Sequence, residues 1–384
     1  MARAEAKDRP SSRGPDSVSL SDRLMQARDR LLTDPRFQRF AARFPLTRHI
    51  ARRHERAAFD LCAGFVYSQT LLAAVRLGVL DRVRGGPLPA ADLVARIPLP
   101  GARAALLVDA MLALGLLSRR SNARVGLGML GGAIVANPSI AALVEHNALL
   151  YEDIADPVAL LADEKANCRI ARFWPYSRES AAAVDAPAAA SYSDLMARSQ
   201  AMIAEEIIDA YPFAAHRRVL DVGGGEGAFL MAMARRCPAL SLQLFDLPAV
   251  AERATARIQA EGLERRIAVV GGSFLSDPLP GDQDVITLVR VVHDHDDETI
   301  DRLLSRVRQA LRPGGSLVIA EPMSGVAAAS RVADVYFAFY LLAMGSGRPR
   351  SAEALEQLLR RAGFARFRRV PTARPMLVSL LVAE

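Results

Sequence analysis

The chain has 384 residues, 51% of them hydrophobic and 24% charged, so it is long enough for two domains, each with its own core, and is too apolar to be disordered. Its net charge of +7 comes almost wholly from arginine. We expect this surplus to be scattered over a solvated or lipid-facing surface. Nucleic-acid binding would instead need the charge gathered on one basic, aromatic-rich face. Three cysteines, odd in number and too far apart for a CxxC site, predict reduced thiols in a cytoplasmic protein.

The N-terminal part of the chain is predicted to be a tail followed by helices. Residues 1–20 are rich in Arg, Ser and Pro and lack the apolar run of a signal peptide, which predicts a disordered tail. Helical spacing starts at Ser21, with breaks at Pro35 and Pro45, and a long helix is predicted over Ala57–Leu80. That helix has more apolar residues than one buried face needs, so we expect a second subunit to cover it. Uncharged apolar runs stay below about 18 residues, so no membrane span is expected.

Two short helices and a hairpin follow, in the order typical of a winged-helix module. The helices are predicted over Ala90–Arg96 and Ala102–Gly115, and the hairpin over Ser118–Gly128. Such modules often bind DNA, but the second helix has only two charged residues and cannot supply phosphate and base-edge contacts. Residues 21–136 are therefore predicted to form a helical, winged-helix-like dimerisation domain, with no nucleic-acid partner.

Residues 137–211 are predicted to be a helical segment that carries an aromatic cluster. These aromatic side chains are either ordinary core or an apolar wall over a substrate pocket, and their positions along the chain leave both interpretations open. The candidate substrate residues in this cluster are Phe173, Trp174, Tyr176 and Tyr192.

The stretch RVLDVGGGEGAFL, Arg218–Leu230, predicts a buried strand, a tight turn and the start of a helix. Its strand ends in Asp221, whose charge suits a cationic or amino-bearing ligand and would repel a pyrophosphate. The next strand ends in Asp246, which is placed to take the two hydroxyls of a ribose. Both acids favour S-adenosylmethionine over a dinucleotide, which the glycine spacing alone leaves open. The glycines that allow close approach of a nucleotide-like ligand are Gly223, Gly225 and Gly227.

Strands and helices alternate over residues 212–384, which predicts a parallel sheet covered on both faces, with ligands at the carboxyl ends of the strands. The last two predicted strands, Ala365–Val370 and Met376–Ala383, have no helix between them, and this antiparallel hairpin distinguishes a methyltransferase sheet from a dehydrogenase sheet. The fold class is therefore α/β, a Rossmann-like methyltransferase domain with a C-terminal antiparallel hairpin after a helical domain. The other predicted strands are Arg218–Asp221, Leu242–Phe245, Arg266–Val270, Asp284–Val292 and, after a turn at Leu311–Gly315, Ser316–Ala320.

Two histidines follow the fourth strand directly, in the run HDHDDE. His293 or His295, oriented by a carboxylate, can take a proton from a hydroxyl whose oxygen attacks an electrophilic methyl group. Glu321, at the end of the neighbouring strand, is placed to hold the imidazole. Metal binding is the rival use of this run, but alternate residues point apart on a strand, so no metal site is expected. Asp296 or Asp297 is expected to cap the next helix.

From about Ala57 to the C-terminus the chain resembles the plant-type small-molecule O-methyltransferases, through VLDVGGGEG, LFDLP, HDHDDE, LRPGGSLVIAEP and RAGF. The resemblance implies S-adenosylmethionine as cofactor and a homodimer formed through the N-terminal domain. It makes His293 the base and Glu321 its orienting residue, with His295 as the rival base. The implied cofactor residues are Asp221, Gly223, Gly225, Gly227, Asp246, Leu247, Gly272, Ser273, Phe274 and Arg290. Met196 and Ser199 resemble positions near cofactor and substrate.

Three departures from the family pattern concern this site. Residues 272–274 lack the acid that usually meets the adenine amino group, and Pro349 stands where a second orienting glutamate is expected. His295 stands where a tryptophan is usual, so the sequence leaves open whether His293 or His295 lies nearer the substrate.

Within the family, the phrases RFWPYSRES, ASYSDLMARSQ and ADVYFAFYLLAMGSGRPRS are most similar to bacterial O-methyltransferases of acyclic carotenoid synthesis. This implies methyl transfer to the tertiary hydroxyl of a hydroxycarotenoid in an apolar pocket that Phe337–Leu342 help to line. Peripheral contact with the inner or photosynthetic membrane, where such a substrate is stored, is expected for a cytoplasmic enzyme of this kind. Two alternatives stay open: an enzyme of the same fold that methylates a phenol, polyketide or tetrapyrrole, and a non-catalytic winged-helix ligand sensor.

Overall fold

The computed structural model describes residues 19–163, 168–173, 200, 202–327, 329 and 331–384, with the backbone alone of residues 172 and 173. Its internal contacts divide the chain into two compact units, Met1–Ala73 and Ala74–Glu384. This division falls inside the predicted dimerisation domain and does not test the predicted domain boundaries, which stay predictions. The predicted tail lies outside the described residues as far as residue 18.

Three helices make up the described part of the first unit: α1 (Leu20–Thr33), α2 (Pro35–Arg43) and α3 (Arg48–Arg76). Asp34 separates the first two, and its carboxylate accepts a hydrogen bond from the Arg36 N–H at 2.7 Å. Proline suits the next position because the first N–H of a helix has no partner within the helix. Helix α3 begins nine residues before the predicted Ala57 and ends at Arg76, two residues before Gly78 with its φ of +60°.

By length and composition, helix α3 could span a membrane. Its qualifying 18-residue window has a mean hydropathy of 1.4, and 11% of that window is buried. Helix α7 (Met129–Ala136) and helix α8 (Pro138–Asp153) pass the same test only as a pair bent by 94°. The sequence criterion, an uncharged apolar run of about 18 residues, does not select α3 as a membrane span, because Asp60 interrupts the run. One carboxylate among 18 residues nevertheless leaves the helix apolar on average.

The second unit begins with short helices and a small sheet. The helices are α4 (Val79–Arg82), α5 (Ala90–Arg96) and α6 (Gly101–Ala113). Strands β1 (Leu88–Pro89), β2 (Leu117–Arg119) and β3 (Arg124–Leu127) form an antiparallel sheet in the order β1-β3-β2. The predicted helices and hairpin are thus confirmed.

A helical segment follows, with α7, α8, α9 (Pro157–Ala162) and α10 (Arg169–Phe173), and with α11, which includes residues 202–210. Buried side chains of α8, α9 and α10, among them Leu150, Leu160 and Ile170, pack against Leu341 and Met344 of the later helix α15 (Ala338–Met344). This packing brings the segment against the part of the chain that follows the fifth strand of the large sheet.

The large sheet has seven strands in the order β6-β5-β4-β7-β8-β10-β9, and the first five run parallel. Strand β10 is antiparallel to both of its neighbours, which confirms the predicted closing hairpin. The strands are β4 (Arg218–Val222), β5 (Ser241–Asp246), β6 (Ile267–Gly271), β7 (Gln283–Val289), β8 (Leu311–Glu321), β9 (Phe367–Val370) and β10 (Ser379–Ala383). The remaining helices are α12 (Ala228–Arg236), α13 (Pro248–Ala260), α14 (Asp297–Ala310) and α16 (Ala352–Arg361).

Alternate residues of the parallel strands face opposite sides of the large sheet. Val219 belongs to the core cluster shared with α11, α12 and α13, whereas its neighbour Leu220 belongs to the cluster shared with α14 and α16. Because both faces are covered, the central strand β7 is buried along its whole length. Only the strand ends are left for a ligand.

Several predicted strand limits are wrong, among them the starts of β9 and β10, which are Phe367 and Ser379 instead of Ala365 and Met376. Strand β7 ends at Val289 instead of Val292, because Arg290 has a φ of +58° and Val292–Asp294 form a 3₁₀ turn. Strand β8 begins at Leu311, so the stretch LRPGG is part of the strand and not a separate turn. Leu311 pairs with Gln283 and Ser316 with Val285, and the bulge between these pairs uses the φ of +78° at Gly314.

Candidate active site

The glycine turn after β4 packs tightly under the ends of two neighbouring strands. Gly223 donates its N–H to the carbonyl of Phe245 at 2.8 Å and has a φ of +71°. A Cβ atom on Gly223 would lie 2.7 Å from Cγ2 of Val291, so no other residue fits without displacing the loop that leads to His293. Gly227, with a φ of +81°, precedes helix α12. The turn therefore brings backbone close to the strand ends, as the sequence predicted.

Asp246 ties this glycine turn to the end of β5. One carboxylate oxygen accepts the Gly225 N–H at 2.8 Å, and the other accepts the Leu247 N–H at 2.7 Å. The side chain is buried. These two bonds fix the direction of the carboxylate beside the turn, where the predicted ribose contact would need it.

Asp221 lies under the same turn and is fully buried. Its Oδ1 accepts the Thr287 hydroxyl at 2.6 Å, whereas its Oδ2 has no hydrogen-bond partner among the described residues. Burial raises the pKa of Asp221 to about 7; the Thr287 hydrogen bond opposes this rise and the charge of Asp246 adds to it. A buried, unsatisfied carboxylate oxygen beside a glycine turn fits a ligand with an ammonium or sulfonium charge, so the residues present fit S-adenosylmethionine.

We expect Asp221→Asn to change how stability depends on pH. Since the folded-state pKa is raised from 3.8 to about 7, the folded chain holds a proton that the unfolded chain releases, and stability falls as pH rises between these values. The wild type should lose about 4 kcal/mol of unfolding free energy relative to the variant between pH 4 and pH 8. Urea unfolding of both proteins without cofactor measures this, and a gap that does not change with pH would contradict it.

Residues 272–274 follow β6 at the same edge. Gly272 donates its N–H to the Asp246 carbonyl, and a Cβ there would meet the Phe245 ring at 2.8 Å. The Ser273 N–H is bound by the carboxylate of Asp277 at 2.8 Å. An exposed acid four residues downstream thus lies beside the position where the family's usual acid is missing.

His293 is buried in the middle of the 3₁₀ turn Val292–Asp294, which follows β7. Its Nε2 lies 3.2 Å from Oδ1 of Asp294, and its Nδ1 has no partner among the described side chains and backbone. The ring stacks on Phe337, with centroids 5.7 Å apart. A histidine whose Nε2–H is bound by a carboxylate keeps a lone pair on Nδ1, which is the state that a general base needs.

Glu321 contacts the backbone of His293 instead of its ring. Oε2 accepts the His293 N–H at 3.0 Å, and Oε1 has no partner among the described residues. Burial raises the pKa of Glu321, and the neighbouring His293 and Arg350 charges oppose the rise. In this arrangement Glu321 fixes the turn that carries His293, while Asp294 contacts the imidazole. The sequence pattern predicts that Glu321 holds the imidazole, whereas in the structure its carboxylate binds the backbone N–H of His293.

His295 lies on the other side of the loop and packs edge-on against Phe274, with centroids 5.3 Å apart. Burial lowers the pKa of His295, and the nearby acids Asp294 and Asp296 oppose this. Asp296 caps α14 through the Thr299 N–H at 2.8 Å, as predicted. The described residues contain no group of three potential ligands placed to hold a metal ion.

The segment 346–350 holds the His293 loop by its carbonyl groups. The Ser346 hydroxyl binds the Asp294 carbonyl and the Arg348 N–H binds the His293 carbonyl, each at 2.8 Å. Arg350 donates to the carbonyls of Val292 and His295, also at 2.8 Å. Four successive carbonyls of the loop are therefore bound from one segment.

Arg350 also forms an ion pair that anchors this segment. Its buried guanidinium binds Oδ1 of Asp297 at 2.6 Å, and Arg348 binds the other oxygen at 2.7 Å. The hydrogen bond from Arg350 lowers the pKa of Asp297 below its ordinary value. Burial opposes this shift, and the charges of Arg350 and Arg348 add to it. Pro349 stands where the family resemblance leads us to expect a second orienting glutamate. The next residue, Arg350, instead fixes the loop by binding the backbone carbonyls of Val292 and His295.

A π-helical turn, Arg331–Phe337, places the ring of Phe337 on that of His293. Phe337 contacts both the His293 ring and the Arg290 guanidinium, each 5.7 Å from the Phe337 centroid. Arg290 has a strained φ and donates its N–H to the Ala320 carbonyl, and its buried Nε has no partner among the described residues. π-Helical turns are frequent at functional sites. The cofactor role of Arg290 stays a prediction.

Two polar pairs join this turn and α15 to helix α8. The Tyr336 hydroxyl donates to the Asn147 amide oxygen at 2.9 Å, and Tyr340 lies 2.9 Å from Nε2 of His146. Burial, with help from Arg290, lowers the pKa of His146 to about 4, and burial raises the pKa of Tyr336 to about 12 although Arg290 opposes this. Both groups are therefore uncharged at neutral pH.

Sequence reasoning found the strand-end residues and missed several that support them. Thr287 could have been noticed as a hydroxyl within an apolar strand, and His146 as a histidine within an apolar helix. Arg350 gave no local signal because its partners lie more than 50 residues away. The predicted substrate residues Trp174, Tyr176, Tyr192 and Met196, with Ser199 and the side chain of Phe173, lie outside the described residues.

Comparison with known proteins identifies the family. Residues 151–365 match the model of the O-methyltransferase domain, and residues 59–131 match the O-methyltransferase dimerisation domain. The chain belongs to the O-methyltransferase family. It is an S-adenosylmethionine-dependent enzyme with the fold that the sequence predicted.

Several members of this family are similar to this chain over most of its length. Demethylspheroidene O-methyltransferase of Cereibacter sphaeroides is 46% identical over 92% of this chain and 93% of its own, and that of Rhodobacter capsulatus is 42% identical over 92% and 88%. Acetylserotonin O-methyltransferase of Mus musculus is 31% identical over 82% and 85%. Among solved structures, a calicheamicin-biosynthesis methyltransferase in its S-adenosylhomocysteine-bound form has a TM-score of 0.71 at 25% identity, covering 86% of this chain and 98% of its own. Human N-acetylserotonin methyltransferase has a TM-score of 0.71 at 22% identity, covering 86% and 97%.

Proposed function

We propose that this O-methyltransferase methylates the tertiary hydroxyl of an acyclic hydroxycarotenoid. The observation that carries the proposal is the 46% identity, over almost the full length of both chains, to an enzyme named for demethylspheroidene. Relatives named for phenolic or other aromatic acceptors are less similar, at 28–36% identity.

The residues at the strand ends have distinct parts in this reaction. Asp221, the glycine turn and Asp246 would hold S-adenosylmethionine, which would supply an electrophilic methyl group on its sulfonium. Nδ1 of His293 would accept the hydroxyl proton as the acceptor oxygen bonds to the methyl carbon. The bond from that carbon to the sulfonium sulfur would break with its electron pair left on sulfur, so the products would be the methyl ether and S-adenosylhomocysteine. An aliphatic alcohol ionises very little in water, so the proton must leave during the transfer and the two reactants must be closely aligned. Asp294 stabilises the protonated imidazole, and Glu321 fixes its backbone.

The surroundings of the base suit an apolar acceptor. Phe337 stacks on His293 and packs against Tyr336 and Tyr340, and Tyr336 and His146 are uncharged at neutral pH. An uncharged aromatic wall is compatible with the end of a polyene. The Arg290 guanidinium lies over the Phe337 ring, 5.7 Å from its centroid, so its charge is in contact with an aromatic face.

The test is methyl transfer from labelled S-adenosylmethionine to 1-hydroxycarotenoids in detergent, beside catechols, flavonoids and a tetrapyrrole. We expect label in the carotenoid as a methyl ether. Label in a phenol or tetrapyrrole with none in the carotenoid would overturn the substrate and leave the reaction type intact. Absence of any transfer, with cofactor still bound, would favour the ligand-sensor alternative.

We also infer that the chain forms a homodimer through the region matched by the dimerisation domain. On α3, within that match, Phe59, Leu61 and Phe65 are exposed by 66%, 85% and 69%, which is unusual for large apolar side chains in a monomer. A paired surface would bury them.

Leu61→Arg and Phe65→Arg should each shift the protein toward monomer at micromolar concentration, because an unpaired charge would enter an apolar interface. Analytical ultracentrifugation measures the shift. Ser121→Arg, at an exposed polar position on the turn between β2 and β3, adds the same charge away from α3 and should leave the dimer intact. A wild type that sediments as a monomer would show the inference to be wrong.

A further inference from the structure

The positive charge of this chain is concentrated near its N-terminus. Leu20 to Arg56 contain ten arginines and four acids, a surplus of six, whereas the chain after Arg56 has 35 basic and 35 acidic residues. The expectation that the surplus is scattered is therefore wrong. All of these arginines lie on α1, on α2 and on the first turns of α3.

Helix α2 combines this charge with aromatic side chains on adjoining faces. Arg36, Arg39 and Arg43 recur at three- and four-residue spacing on one face, and Phe37, Phe40 and Phe44 do so on the next. Phe40 and Phe44 stack with centroids 5.2 Å apart, and they are exposed by 57% and 38%. A short helix with arginines beside an exposed aromatic face is typical of helices that lie in a membrane interface.

Helix α1 supports the same surface. It buries none of its 14 residues, and its large apolar side chains are exposed: Leu20, Leu24, Met25, Leu31 and Leu32. An isolated helix of this length is marginal in water, so its apolar side needs an occupant that the described first unit does not provide.

We propose that α1, α2 and the first turns of α3 form a docking surface for an anionic lipid bilayer. The arginines bind lipid head groups, and the phenylalanines and leucines enter the boundary between head groups and acyl chains. The surface lies before residue 59, outside both matched family domains, so the common dimerisation domain does not account for it. The inference extends the proposed function, since a bilayer is where a hydroxycarotenoid dissolves.

Lipid fits this surface better than the two other kinds of occupant. A second copy that paired through this same segment would bring another surplus of six positive charges against it, and like charges at close range oppose such pairing. Nucleic acid would satisfy the arginines but would leave the exposed leucines and Met25 without an apolar environment.

The experiment is vesicle flotation of the full-length protein, with phosphatidylcholine vesicles that either contain or lack phosphatidylglycerol and no carotenoid. We expect the wild type to float with the anionic vesicles at low salt, and to bind less at high salt and on neutral vesicles. Arg36→Gln/Arg39→Gln/Arg43→Gln should bind about 10- to 100-fold more weakly. Phe40→Ser/Phe44→Ser should also weaken binding, because the apolar contribution is lost.

Matched controls separate this inference from the others. Arg235→Gln/Arg265→Gln/Arg302→Gln removes the same charge from exposed positions of the second unit and should float like the wild type. Both arginine triple variants should keep the wild-type methyl-transfer rate in detergent, which tests the proposed function independently of lipid.

Three outcomes would overturn the lipid surface. They are a wild type that stays in solution with anionic vesicles, α2 variants that lose self-association while they still float, and α2 variants that lose only DNA or RNA binding. Flotation without carotenoid methylation would instead overturn the proposed function alone.

Discussion

Replacement of His293 by glutamine is expected to lower kcat by about 10²- to 10⁴-fold, the usual contribution of a general base. His293 is the histidine whose free ring nitrogen is buried under Phe337, with the other nitrogen held by Asp294. Because the acceptor hydroxyl is a weak acid, transfer without the base would need an alkoxide that water hardly supplies. Binding of S-adenosylhomocysteine, measured by calorimetry, should change little, since Asp221 and Asp246 lie on other strands.

His295→Gln is the matched control for this prediction. His295 packs on Phe274, and its backbone carbonyl rather than its ring is tied to the His293 loop through Arg350. We expect less than about a tenfold effect on kcat from this replacement. The assignment fails if the two variants behave in the opposite way, with His295→Gln inactive and His293→Gln close to the wild type.

Replacement of Arg350 by methionine is expected to impair both stability and catalysis. The change removes the buried donors to the Val292 and His295 carbonyls and the partner of Asp297, at a cost of about 2–4 kcal/mol of unfolding free energy. At a temperature where the variant stays folded, kcat should fall by about tenfold or more while the KM for S-adenosylmethionine stays near the wild-type value. Arg350 would then be a positioning residue for His293.

Two readouts separate positioning from general destabilisation. The pH profile of kcat should shift in Arg350→Met, because the loop that carries the base has moved, and Arg350→Lys should restore part of the rate through a single donor. Arg348→Met is the control: its exposed side chain pairs with the same Asp297, and its N–H bond to His293 survives the change. Equal losses in Arg348→Met and Arg350→Met would contradict the positioning role.

The Asp297 pair also predicts a dependence on acid. A carboxylate whose pKa is lowered in the folded state contributes stability above its unfolded pKa, and this contribution is lost as pH falls through the folded value. The stability difference between the wild type and Arg350→Met should therefore narrow below about pH 4. Urea unfolding at pH 7 and in acid measures this difference.

The strand-end acids and the glycine turn could be predicted because they depend on local order along the chain. Asp221 and Asp246 end apolar strands, and parallel strands place their carboxyl ends at one edge whatever the details of packing. The bulge within LRPGG was not predictable in the same way, since it depends on the pairing of Leu311 with Gln283.

The sequence alone determined the fold class, the family resemblance and the edge of the sheet where chemistry takes place, because periodicity and turn residues act over a few positions. Only the tertiary structure decided which polar atoms at that edge have hydrogen-bond partners, and which partners those are. In that structure Glu321 accepts a hydrogen bond from the backbone N–H of His293, and Asp294 contacts the imidazole. Residues 346–350 donate hydrogen bonds to four carbonyls of the loop. Burial and long-range hydrogen bonds are properties of packed elements, so no local pattern around His293 encodes the partners that hold it.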